Sequence, residues 1–229
     1  MSVELEAVDL ARREILTPAL STTKEVLAVH APVLADGLPL IARADTTREP
    51  GAFYFYFRLE NEPYYLVIVV RPGEKGLAVA GAYVEAAVRV FLLITSETLS
   101  PDEITRRVGF KPTATHGKGK CLHKHLRPLA KTMWRFEPHM SLPESVDRKL
   151  DLLLDELDAP TELAEDGPAP RIAELAGECE VAVTICYEGY KDWLGGWGAG
   201  PGTLQRLAAL GANVELDLYA SGPDLPLEK

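Results

Sequence analysis

Ala87-Val88-Arg89-Val90-Phe91-Leu92-Leu93-Ile94-Thr95, followed by Ser100-Pro101-Asp102-Glu103-Ile104 and closed by Gly109, decides the fold class. Val88, Val90, Leu92 and Ile94 alternate along the first nine residues, so they share one face of a strand. Phe91 and Leu93 lie on the other face, so that side is covered too. Ser100 can cap a helix, Pro101 suits its first position, and Glu103 completes a capping box. Gly109 then supplies a stop. A strand running into a well-capped helix, with more of both on either side, gives an α+β protein.

Upstream, residues 3–16 predict a helix on the spacing of Leu5, Val8, Ala11 and Ile15. A second helix is expected over 23–34, opened by a Thr22/Glu25 capping box and stopped at Asp36-Gly37. Strands then follow. Leu38–Ala44 is one. Ala52–Leu59 is another, with Phe53, Phe55, Phe57 and Leu59 against Tyr54, Tyr56 and Arg58. Tyr64–Arg71 and Leu77–Val84 complete an antiparallel meander, joined by turn residues at 61–63 and 72–76.

Downstream of Gly109, residues 111–131 are polar and carry no clear periodicity. A short strand is expected at 133–137, a helix at 144–157 on Val146, Leu150, Leu153, Leu154 and Leu157, and a short helix at 171–176. A strand at 180–188, a Gly- and Trp-rich loop, a helix capped by Thr203, and a strand at 214–219 finish the pattern. The expected organisation is therefore residues 1–85 as two helices plus a meander, 86–220 as a second unit, and 221–229 as a mobile tail. Both units mix helices with antiparallel sheets.

The second unit's order is strand, helix, strand, helix, strand, helix, strand. With Ser100-Pro101-Asp102-Glu103-Ile104, Gly109-Phe110-Lys111-Pro112-Thr113, Gly117, Trp134, the leucine-rich helix and the closing Leu207–Tyr219, it resembles a bacterial family known as domain of unknown function 4279. The resemblance spans roughly residues 86–220. It implies a ferredoxin-like α+β domain without an established activity, and some such proteins look like immunity proteins of toxin neighbourhoods. Its motifs are structural and carry no chemistry.

Composition bounds the function. The 229 residues have a net charge of -10, with 47% hydrophobic and 25% charged residues. Such a chain builds a real core, and its acidity argues against nucleic acid and anionic membranes. No apolar run reaches the length of a membrane span. Cys121, Cys179 and Cys186 make no disulfide framework, and Met1–Glu6 is no signal peptide, so the cytoplasm is the expected location.

Several patterns are candidates for contact. Asp147, Asp151 and Asp155 form a row at four-residue spacing, where like charges cost a few tenths of a kcal/mol each. A row tolerated on one face suits a basic, toxin-like protein partner, although a plainly solvated face explains it as well. Trp193 and Trp197 in the glycine-rich loop either anchor a partner or fold back onto the core.

No acid lies between Glu103 and Glu137, while nine bases do. Lys118, Lys120 and Lys124 are the anion-binding candidates there. His116, Cys121, His123 and His125 have weak metal-ligand spacing, set against a solvated basic loop. His30 reads as a packed histidine. No GxSxG elbow or P-loop occurs, and no cofactor is called for.

The leading expectation is thus a non-catalytic protein-binding module of the immunity type. The alternative is a small-ligand or anion sensor, or an enzyme, with a cleft near 106–135. A homo-oligomeric module is the third.

Overall fold

A computed structural model describes residues 2–121, 127–139 and 143–225. The chain is α+β. It divides into two compact units, one made of residues 1–87, 187–196 and 218–229, the other of 88–186 and 197–217. Among the described residues no helix is long and apolar enough to cross a membrane.

In the first unit α1 (Val3–Leu16) is capped by the Ser2 side chain. The next helix, α2, runs Ser21–Val29, not 23–34. Its Leu20 cap makes no side-chain bond, so the expected Thr22 capping box is absent. The buried Glu14 of α1 takes over, accepting from the Ala19 and Leu20 N–H groups at 3.0–3.2 Å. The helix ends early because Pro32 forces the preceding residue to extend. Asp36-Gly37 is then a hairpin turn and not a helix stop. Both residues have positive φ, which a two-residue hairpin requires, and they join β1 (Leu34–Ala35) to β2 (Leu38–Pro39).

A four-stranded antiparallel meander follows: β3 (Ile41–Asp45), β4 (Phe53–Arg58), β5 (Tyr65–Gly73) and β6 (Gly76–Glu85). Alternation sorts its side chains. Phe55, Phe57, Leu66, Ile68, Val70 and Val84 bury against Ala7, Ala11 and Ile15 of α1 and Val26 of α2. Tyr54, Tyr56, Val67 and Val69 form a second cluster with Ala52.

A five-stranded sheet has the order β11-β10-β7-β9-β8. Its strands are β7 (Ala87–Ser96), β8 (Ala114–His116), β9 (Thr132–Phe136), β10 (Glu180–Tyr190) and β11 (Asn213–Ser221). β9 lies antiparallel between β7 and β8, pairing Ile94 with Trp134 and Thr115 with Trp134. After β7 comes α3 (Pro101–Val108). It has the expected capping box from Ser100 and Glu103, and Gly109 ends it in the left-handed conformation. Three further helices are α4 (Val146–Asp158), α5 (Ala169–Leu175) and α6 (Pro201–Ala209).

The apolar stripe of α4, Val146, Leu150, Leu153, Leu154 and Leu157, is buried throughout. Trp134 is fully buried, and its Nε1–H donates to Thr105 Oγ1 at 3.0 Å. The expected Thr203 cap is corrected. Pro201 starts α6 two residues earlier, the cap is Gly200, and Thr203 lies inside the helix.

Candidate functional site

The aspartate row converges on the start of α6. Gly200 has no side chain to cap the helix, and Asp147 supplies the missing acceptor: the Gly200 N–H donates to Asp147 Oδ1 at 3.3 Å. One turn on, Thr203 Oγ1 donates to Asp151 Oδ1 at 2.9 Å. A further turn on, Arg206 Nη2 donates to Asp155 Oδ1 at 3.0 Å, and its Nε and Nη2 reach Asp158 Oδ2 at 3.0 and 2.7 Å. The helical repeat of α4 thus runs alongside that of α6. Negative charge at a helix N-terminus is favourable, and one guanidinium between two carboxylates offsets the like-charge cost of the row.

Asp147, Asp151 and Asp155 line an open depression of about 470 Å³ together with Arg148, Thr203 and Arg206. Each accepts through Oδ1, and among the described residues the Oδ2 atoms have no partner. Three carboxylate oxygens along one shallow groove suit a cationic ligand.

The tryptophans behave differently. Trp193 is half-buried against the first unit's core, and its backbone N–H donates to the Tyr190 carbonyl at 2.9 Å. Trp197, three residues before the α6 cap, stays 39% exposed.

Four of the nine bases in the basic segment have side-chain partners among the described residues. Arg107 forms a fork with Glu178 at 2.8 and 3.0 Å, Lys131 bonds Glu180 at 2.7 Å, and Arg135 pairs with Glu137 and stacks over Phe91. Lys118 Nζ donates to the Glu97 carbonyl at 3.1 Å. Lys120 is exposed in a turn closed by backbone bonds to Leu129 and Gly117. Lys124, His123 and His125 lie outside the described residues. His116 is half-buried on β8, and Cys121 is exposed.

A family profile described as Domain of unknown function (DUF4279) matches residues 86–221. The chain belongs to this family. No curated protein matches it, and neither does any solved structure. The DUF4279 match takes in the aspartate row, α6 and β11, and leaves residues 1–85 outside.

Two clusters have members outside the DUF4279 match; the first escaped sequence reasoning, and of the second only His30 was read, as a packed histidine. Arg48 donates to both oxygens of Glu85 at 2.6 and 2.9 Å and to the Tyr83 hydroxyl at 2.8 Å, over the rings of Tyr54 and Tyr56. Burial opposes the charge of Arg48, but the Glu85 bonds raise its pKa regardless. Only the Tyr alternation of β4 hinted at this face.

The other cluster is aromatic. His30 meets Tyr64 and Tyr190 edge-on, with centroids 5.6 and 5.5 Å away. Its Nε2 lies 3.4 Å from the Tyr64 hydroxyl, and its Nδ1 lies 3.7 Å from Glu62 Oε1. Burial lowers the His30 pKa, against the pull of Glu62. Tyr190 donates to the Pro223 carbonyl at 2.6 Å.

Proposed function

We propose that this protein is a protein-binding module of the immunity type, non-catalytic and cytoplasmic, which occupies a basic protein partner. The observation that carries the reading is the gathering of Asp147, Asp151 and Asp155 on one open depression, each with an Oδ2 atom facing no described partner. Lys or Arg side chains of a partner enter that groove, and the exposed Trp197 nearby in sequence supplies an aromatic anchor. The net charge of -10 speeds encounter with a cationic surface.

Anion binding at 106–135 has weaker support, because Glu178, Glu180 and Glu137 already neutralise Arg107, Lys131 and Arg135. The ferredoxin-like reading of the second unit belongs to the same proposal. Its support is the order β10-β7-β9-β8, in which the fourth main strand and the third flank the first.

The test is coexpression with the products of flanking genes. The wild-type chain protects cells from a cationic toxin and co-purifies with it, in a complex that loosens as salt rises. Asp147→Asn combined with Asp155→Asn weakens both protection and binding. A complex indifferent to salt and to this double variant refutes the reading.

A further inference from the structure

The strand β11 is built unlike its neighbours. It closes the order β11-β10-β7-β9-β8, so its only strand neighbour among the described residues is β10. All nine of its residues, Asn213–Ser221, are exposed. Val214, Leu216, Leu218 and Tyr219 stand 47–56% exposed, although a strand of that composition ordinarily buries one face. A long apolar strand with a free row of N–H and C=O groups is a template for another strand. It carries no Lys and no Pro, and its only charged residues, Glu215 and Asp217, share the face opposite Leu216 and Leu218.

The sequence of β11 is self-complementary in one register. Consider antiparallel pairing of two copies about a two-fold axis. An axis at Asp217 sets Asp217 against itself, and an axis at Leu216 sets Glu215 against Asp217. Each places carboxylates directly opposite, which is destabilising. An axis at Leu218 removes the conflict. Leu218 then meets Leu218, Leu216 meets Ala220 twice, Asp217 faces Tyr219, and Glu215 faces Ser221. One face of the joint becomes wholly apolar. On the other, each carboxylate sits across from a hydroxyl donor. This is the longest such pairing of β11 that avoids opposed acids, seven residues from 215 to 221.

We propose that β11 is a homodimer interface: two copies of this chain join edge to edge about an axis through Leu218. The partner is a second copy, because the pattern completes itself and a two-fold contact uses the same patch twice. This surface is separate from the aspartate depression, so the proposal does not rest on the binding role assigned there.

The test uses the full chain with Cys121→Ser, which removes the exposed thiol. Sedimentation across a concentration series shows a reversible dimer. The dimer tightens with added salt, since both copies carry -10. Leu218→Lys weakens it by about tenfold or more, and at dilutions where both proteins are monomeric the melting temperature is unchanged because the side chain is exposed.

Register is read by single cysteines. Leu218→Cys crosslinks to its own copy under mild oxidation, because self-opposed Cβ atoms lie about 5 Å apart. Leu216→Cys does not, since four residues of offset separate the two positions by about 14 Å. A chain that stays monomeric overturns the proposal, even if the β11 amides gain protection when a different protein is added. So does a dimer insensitive to Leu218→Lys, or one that crosslinks better at 216.

Discussion

Replacing Gly222 by alanine tests how the segment after β11 is held. Gly222 has φ +117°, a conformation that side chains rarely adopt, and an added Cβ would lie 2.5 Å from Cδ2 and Cε2 of Tyr190 and from the Tyr64 hydroxyl. Both rings are fully buried, so neither can swing aside. Holding such a φ costs roughly 1–3 kcal/mol, and forcing an extra carbon into a packed core adds roughly 1–3 kcal/mol. Against this, residues beyond Gly222 are retained by few contacts. The Tyr190–Pro223 hydrogen bond contributes about 1 kcal/mol, and partial burial of Leu225 about 1–2 kcal/mol. The Lys191–Asp224 pair is exposed and adds little.

Release is therefore the easier response. Gly222→Ala detaches residues 222–225 and lowers stability by about 2–3 kcal/mol, the sum of those contacts, instead of unfolding the unit. Tyr190 reports it. Burial first, and then the charge of Asp192, pushes its phenol up to about 12. In the variant that phenol returns toward the ordinary tyrosine range near 10. Ultraviolet titration of tyrosinate reads the shift, and Tyr190→Phe identifies the step among the eight tyrosines. A Gly222→Ala protein in which Tyr190 still ionises near 12, with undiminished urea stability, refutes the reasoning.

Two further outcomes follow from described geometry. Burial lowers the His30 pKa, so the neutral ring is the folded form; its stabilising contribution is complete above about pH 6.5 and is lost as pH falls through the folded value. Urea unfolding from pH 7 to 5 shows this acid arm, and His30→Gln flattens it; identical slopes in both proteins count against it. Thr203→Val removes the donor to Asp151 and costs about 1 kcal/mol, and a double-mutant cycle with Asp151→Ala returns a coupling of similar size; zero coupling means the bond holds nothing.

Legibility followed locality. The α3 capping box and its Gly109 stop were readable because every participant lies within ten residues. The meander was readable from the alternation of Phe53–Arg58 and the turn glycines. The start of α2 was not, because its acceptor, Glu14, comes from the preceding helix and bonds backbone groups that any residue would offer. Thr203 looked like a cap because its hydroxyl does take a local-looking role, yet it donates to Asp151, 52 residues away. The aspartate row was visible as a pattern, but its alignment with α6 depends on packing. The exposure of β11 was hidden too. Val214, Leu216 and Leu218 alternate as in any half-buried strand, and only the sheet order places them at an end.

The first unit borrows Tyr190, Trp193 and Leu225 for its core from segments far along the chain. During synthesis its helices and meander emerge long before those residues exist. The nascent N-terminal portion must wait, with a gap beside His30 and Tyr64, while the ribosome adds more than a hundred residues. Slow completion of folding is the natural consequence of a core closed by its latest-made piece.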